Sequence, residues 1–172
     1  MVHASADEGL YQRTMNTPAG ELRVMTNGHA LLEISFHPGE LNRLSASPGP
    51  GPAVLIHAIE QLQDYFHGSL RNFNLPLEPR GTPFQLRVWE ELRGIPYGST
   101  ISYLDLAKRL GDPKCIRAAA SANGKNPMAI VIPCHRVVGS QGQLTGYAGG
   151  LPRKKYLLDL ECEHTGGRLT LF

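Results

Sequence analysis

Helix start and stop signals lie so close together in the second half of this 172-residue chain that only short helices fit between them. Thr82 precedes Pro83, Asp112 precedes Pro113, and Ser102 opens an apolar segment. Each is a good N-cap, and proline suits the first helical position because its missing N–H has no intrahelical partner there. Gly94, Gly111 and Gly124 mark the other ends. The first helix carries Phe84, Val88, Trp89 and Leu92 as an apolar stripe, with Trp89 expected in the core. The second carries Leu104, Leu106, Ala107 and Leu110, and the third runs from about Lys114 to Asn123. Two short helices joined by a tight glycine-containing turn predict a helix-turn-helix.

The third helix is almost bare of long side chains over Arg117-Ala118-Ala119-Ala120-Ser121-Ala122. Small residues admit close approach, either of the protein's own core or of a nucleic-acid groove. Arg117 is the long cation of that run, with Lys114 and Lys125 beside it, and the second helix of such a pair is the usual reader of DNA.

The first half reads differently. Leu10–Met15, Leu22–Thr26 and Ala30–Phe36 alternate in part and are separated by turn signals at 16–20 and at Asn27-Gly28. This predicts a small antiparallel meander with a tight Asn-Gly hairpin. Residues 1–9 read as a tail and 37–52 as a loop. Leu55, Ile59, Leu62 and Phe66 share one face of a helix over 53–67, stopped by Gly68, and Phe73–Leu77 suggests one more strand.

The chemistry concentrates in Ile132-Pro133-Cys134-His135-Arg136-Val137. A thiol is nucleophilic as thiolate, and an adjacent base or cation favours that form. Residues 128–138 are expected to be a buried extended run broken at Pro133. Neighbours in a straight strand face opposite ways, so Cys134 would meet His135 through a bend or a bridging water. A glycine-rich loop follows at 143–150; it lacks the GxGxxG and GKS/T patterns, which excludes a nucleotide-triphosphate loop. The last helix, from Pro152 to about Glu161, has Tyr156, Leu157 and Leu160 as buried positions. Lys154 and Lys155 stand near its start, where the dipole disfavours cations; phosphate contact or plain solvation accounts for them.

Charge is uneven. Residues 1–81 carry 5 Lys/Arg against 8 Asp/Glu, and residues 82–172 carry 12 against 7. The half with Cys134 is therefore the basic one, which favours an anionic partner such as nucleic acid. The three cysteines form no CxxC, and the seven histidines form no zinc pattern, so neither a disulfide framework nor a metal is expected. No apolar run approaches membrane length and the N-terminus has no signal-peptide core, so a cytoplasmic protein is expected.

Four pieces, FQLRVWEELRGIPYGSTISYLDLA, RAAASANGKNP, IPCHRV and LTGYAGG, lie in order between Phe84 and Glu161. This stretch resembles the catalytic domain of the O6-alkylguanine-DNA alkyltransferases, also called methylated-DNA–protein-cysteine methyltransferases. The resemblance implies an α+β protein. A small N-terminal α/β supporting domain with an antiparallel sheet would span 1–76 and a linker 77–83. A mostly helical DNA-binding and alkyltransferase domain with the helix-turn-helix would span 84–172. It implies irreversible, single-turnover transfer of the alkyl group of O6-alkylguanine, and of O4-alkylthymine, in double-stranded DNA to a cysteine after base flipping. No cofactor is implied, and a monomer is expected, with cooperative binding along DNA left open.

The resemblance also assigns roles. Cys134 would accept the alkyl group, His135 would deprotonate it through a water, and Glu161 would orient His135. Asn126 would tie the active-site loop, and Tyr103 would donate to guanine N3. Arg117 would fill the gap left by the base, with Ala118, Ala119 and Ser140 also at the DNA. Val137, Tyr147, Ala148, Gly149 and Asn123 would line the guanine pocket. The sequence departs from its relatives at Ala119-Ala120, where Val-Gly is usual. The zinc found in some relatives has no basis here, since the N-terminal half holds no cysteine. Two other readings of the residues remain: a cysteine hydrolase using Cys134, His135 and Glu161, and a DNA-binding regulator whose Cys134 senses modification.

Overall fold

The computed structural model describes residues 9–36, 49–167 and 170–171. The expected tail, apart from Gly9, and residues 37–48 of the expected loop lie outside the described residues. The fold is mixed α+β. Strands β1 (Tyr11–Thr17), β2 (Gly20–Thr26) and β3 (Leu31–Ser35) form an antiparallel meander in that order. Helix α1 (Ala53–Phe66) follows, and its buried Val54, Leu55, Ala58 and Leu62 join Leu22, Val24 and Ile34 of the sheet in one core.

Two N-terminal expectations need correction. The Asn27-Gly28 hairpin is a longer loop, with pairing resumed at Thr26 and Leu31. The Asn27 side-chain oxygen accepts the N–H groups of His29 (3.0 Å) and Ala30 (2.9 Å), a local turn that replaces the two-residue one. Residues 73–77 form no strand; Leu77 makes a single parallel bridge to Leu31. Pro76 and Pro79 flank it and have no N–H for a ladder.

The free edge of β3 has two further partners. At one end Leu31 donates to Pro76 O (2.8 Å) and accepts from Glu78 (2.9 Å). At the other, Ile34 donates to Pro127 O and accepts from Ala129, both at 2.8 Å. The N-terminal sheet thus holds the segment that leads into Cys134.

In the second half, α2 (Pro83–Arg93) starts with a reciprocal Thr82–Gln85 cap and ends at Gly94. Trp89 is buried, and its indole N–H donates to Ala122 O (2.9 Å). Strand β4 (Ser99–Ser102), which the sequence reading missed, leads directly into α3 (Tyr103–Arg109), capped by Ser102 and Asp105. Leu104 of α3 is exposed rather than buried. Pro113–Cys115 is a single 3-10 turn capped by Asp112, and α4 (Ile116–Gly124) follows. Helices α3 and α4 are the expected helix-turn-helix, with Gly124 inside α4 instead of beyond it.

The run 128–138 is not extended. Backbone bonds from Val131 to Ala129 and from Ile132 to Met128 coil it, and Ile130 adopts φ 72°. Cys134–Arg136 is a 3-10 turn, and only β5 (Val137–Val138) is strand. Strands β5 and β6 (Thr170–Leu171) flank β4 in a small parallel sheet. Helix α5 (Leu151–Glu163) closes the fold. Its Leu157, Leu158 and Leu160 are buried, whereas Tyr156 is half-buried.

Candidate active site

The coil before Cys134 is built by Asn126. Its amide nitrogen donates to Ile132 O (2.7 Å) and Met128 O (3.3 Å), while its oxygen accepts from Met128 N (2.9 Å). Side-chain bonds to the backbone here replace a strand ladder. A 3-10 turn then puts Cys134, His135 and Arg136 on one tight loop, all buried. The strand argument for opposite-facing neighbours no longer applies.

The fully buried carboxylate of Glu161, on α5, collects the neighbouring donors. Its oxygens lie 2.8 Å from His135 Nε2 and accept from Tyr65 OH (2.8 Å), from Gly98 N (3.0 Å), and from Arg136 Nε and Nη2 (each 2.9 Å at the closest). Gly98 has φ 72°, and a Cβ there would meet Thr165 at 2.6 Å, so glycine is needed for that N–H to arrive.

Burial pushes the Glu161 carboxyl up, but the hydrogen bonds from His135 and Arg136 and the charge of Arg136 outweigh it and hold the group far below its ordinary range. Arg136 is the permanent cation of the set. Burial lowers the pKa of His135 against the pull of Glu161, so the ring is neutral at pH 7. A carboxylate only accepts, so Nε2 of the neutral ring carries the proton. Nδ1 keeps its lone pair, and it is buried with no protein hydrogen bond. Burial also raises the Cys134 thiol, opposed by the Asn126 amide and the Lys154 charge. The site therefore holds a protonated thiol next in sequence to an imidazole whose free nitrogen is basic.

Lys154 is neither solvated nor at a phosphate position: it is fully buried. Its Nζ donates to Val137 O (2.6 Å), Thr145 O (2.8 Å) and Gly146 O (3.4 Å), fastening the glycine-rich loop to β5. Burial pulls its pKa down to about 8. Tyr103 OH donates to the same Thr145 carbonyl (3.0 Å), and burial raises its pKa. Asn123, buried, donates to Cys134 O (3.3 Å).

Arg117, Ala118 and Ser140 are exposed. Ala119 is not: it is fully buried in the core, and Ala120, half-buried, is the alanine of α4 that lines the cleft beside it. A cleft of about 390 Å³ lies between α3, α4 and the loop, lined by Tyr103, Arg117, Ala120, Thr145 and Tyr147. Tyr147, Ala148 and Gly149 line a smaller cavity that includes Cys134. Val137 and Asn123 line neither cavity; Val137 is fully buried in β5 and takes part through its carbonyl.

Sequence reasoning missed Tyr65, Arg136 and Lys154 as site residues. Tyr65 follows Leu62 by three positions, on the apolar face already read for α1. Arg136 stood inside the hexapeptide, and a cation within a buried run was the available signal. Nothing local marks Lys154. Among the described residues no group of three or more His, Cys, Asp or Glu is placed to hold a metal ion, and no helix is long and apolar enough to cross a membrane.

Residues 83–163 match the family model for the DNA-binding domain of 6-O-methylguanine DNA methyltransferase. Residues 10–79 match the model for its ribonuclease-like domain. The methylated-DNA–protein-cysteine methyltransferase of Mycobacterium bovis is 44% identical over 168 residues, 95% of this chain and 99% of its own. The crystal structure of the Mycobacterium tuberculosis O6-methylguanine methyltransferase is 43% identical, with a TM-score of 0.82 over 91% of this chain and 94% of that one. A Mycobacterium tuberculosis OGT structure in complex with DNA is 44% identical, with a TM-score of 0.81 over 90% and 94%.

Proposed function

Because the chain belongs to the 6-O-methylguanine DNA methyltransferase family, we propose that it repairs DNA by direct reversal, moving the alkyl group of O6-alkylguanine in duplex DNA onto Cys134. The observation that carries the choice of atom is the state of His135. Its Nε2–H is committed to Glu161, and its Nδ1 lone pair is left unpaired one residue from a buried thiol.

The step balances as one displacement. His135 Nδ1 takes the Cys134 proton, directly or through one water. The Sγ–carbon bond forms as the carbon–O6 bond breaks, and the electron pair stays on the base, which gains one proton overall. An in-line attack requires Sγ held opposite the leaving oxygen, and the Asn126-bound coil is the part that holds it. Tyr103 is the donor to the base; its proton now rests on Thr145 O and must be redirected when the base enters. Arg117, exposed at the mouth of the cleft, replaces the extruded nucleotide in the stack. The thioether has no route back to thiol, so each molecule acts once.

The reading extends to O4-alkylthymine, and to a cytoplasmic monomer whose domains divide at 77–83. Size-exclusion chromatography with and without DNA checks the monomer.

The deciding experiment is a stoichiometry. Incubation with duplex oligonucleotide carrying O6-methylguanine should add one methyl to the Cys134 peptide and stop at one equivalent. Cys134→Ala should bind DNA and transfer nothing. Sustained turnover, or a label on Cys115 or Cys162, refutes the assignment.

A further inference from the structure

Two voids adjoin at Gly124 and Tyr147, and the smaller of them is lined by the nucleophile. The cleft of about 390 Å³ beside Arg117 is of ligand size and opens to the surface. The other is a cavity of about 30 Å³ lined by Cys134 itself. They share Gly124 and Tyr147. A group carried by Sγ has to lie against Sγ, so the base occupies the cleft while the transferred alkyl group ends in the small cavity. A cavity of about 30 Å³ takes a group the size of water or methyl. A benzene ring needs about 150 Å³.

The far wall of that cavity comes from the N-terminal half. Ile34, Ser35 and Phe36, at the end of β3, line it together with Cys134. Phe36 is buried, and its ring is held between Arg153 and the Gly149 backbone. The Arg153 guanidinium lies 5.1 Å from the ring centroid. Arg153 also donates to Ala19 O (2.8 Å) in the β1–β2 turn and to Gly149 O (2.9 Å) in the loop. A Cβ on Gly149 would come within 3.2 Å of Phe36, so the ring packs directly on the loop backbone. The bonds from Ile34 to Pro127 and Ala129 keep β3 in place beside the coil that carries Cys134.

We infer that Phe36, clamped by Arg153, sets the size limit on the alkyl group that Cys134 accepts. The N-terminal half is then a wall of the reaction chamber as well as a support. The inference rests on Cys134 being the acceptor.

The test compares single-turnover rates on duplexes carrying O6-methylguanine and O6-benzylguanine, read as modified Cys134 peptide. Phe36→Ala should raise the benzyl-to-methyl rate ratio about tenfold, the discrimination that a changed hydrophobic pocket usually provides. Phe36→Leu should fall between, Arg153→Leu should raise the ratio by releasing the ring, and Phe36→Trp should lower it. A ratio within twofold of the native protein in both Phe36→Leu and Phe36→Trp overturns the inference; these two fill the space even where Phe36→Ala fails to fold. Methyl appearing on Cys134 of the native protein keeps the acceptor reading intact in that case. Its absence there is a failure of that reading instead.

Discussion

Glu161→Gln separates what holds the site together from what drives it. The substitution preserves shape and removes one charge. In the native protein the two oxygens face only donors, from Tyr65, Gly98, His135 and Arg136. The new amide nitrogen would face at least one of those donors, and the buried Arg136 guanidinium would lose its counter-charge. Breaking a buried pair in this way costs about 3–5 kcal/mol. That is a large share of the roughly 5–15 kcal/mol by which a domain is stable. At about 2–4 °C per kcal/mol for a chain of this length, Tm should fall by about 6–20 °C.

The rate should fall for a different reason. When the new amide turns its NH2 toward His135, Nε2 becomes the acceptor and the ring proton moves to Nδ1, and an imidazole protonated on Nδ1 is no base toward Cys134. Loss of a positioned base is worth about 10²–10⁴ in rate. Circular dichroism melts and single-turnover transfer to Cys134 read the two effects separately. The double variant Glu161→Leu with Arg136→Met removes both charges and should recover much of the Tm, because apolar replacement of a buried pair is often neutral. Its transfer rate should stay low. Transfer by Glu161→Gln within threefold of native, alongside the expected drop in Tm, would refute a chemical role and leave Glu161 as a strut. If Tm also held, the geometry of the whole cluster would be wrong.

Three further outcomes are expected. His135 and Glu161 both have folded pKa values below their unfolded ones, so the stability they contribute is present above about pH 6.5 and 4.3 respectively and is lost as pH falls; urea midpoints should decline from about pH 6.5 downward, and a flat profile to pH 4 contradicts this. Lys154 carries its charge near Cys134 only below about pH 8, so native transfer should lose rate above that pH; Lys154→Met should lower the plateau and remove that limb, and a native rate still climbing through pH 9 refutes the role. Arg117→Ala should slow transfer from duplex DNA about tenfold or more, since unstacking a base costs a few kcal/mol, while leaving transfer from free O6-methylguanine unchanged; equal losses on both substrates would remove Arg117 from base extrusion.

What the sequence made legible is what neighbouring residues decide among themselves. The Thr82–Gln85 and Ser102–Asp105 caps close within three positions, so the starts of α2 and α3 stand where the caps and prolines place them. Trp89 and the apolar face of α1 follow from 3.6-residue spacing, which burial preserves. Strands β4 and β5 left no such trace. They are four and two residues long and buried throughout, so neither alternates. The β-branched run before Cys134 reads as strand, and it coils instead because one side chain, that of Asn126, supplies the bonds that a neighbouring strand would have supplied.

The misread charges share one cause. A lysine near a helix start and an arginine after a histidine look solvated until their partners are known, and those partners are remote. Lys154 needs the carbonyls of Val137 and Thr145 to converge on it. Arg136 needs Glu161 and Ile95 O (2.6 Å). Isolated buried charge is too costly to occur by chance, so each of these residues is buried because the assembled fold completes its bonds. The same holds for Tyr65, which reaches Glu161 from α1, and for Phe36, which reaches the Cys134 cavity from the end of β3. The motif that betrays the chemistry therefore lies wholly in the second half. The groups that fix its proton on one nitrogen and bound the space beside its sulfur come from both halves, and truncation to residues 84–172 would remove Tyr65 and Phe36 together.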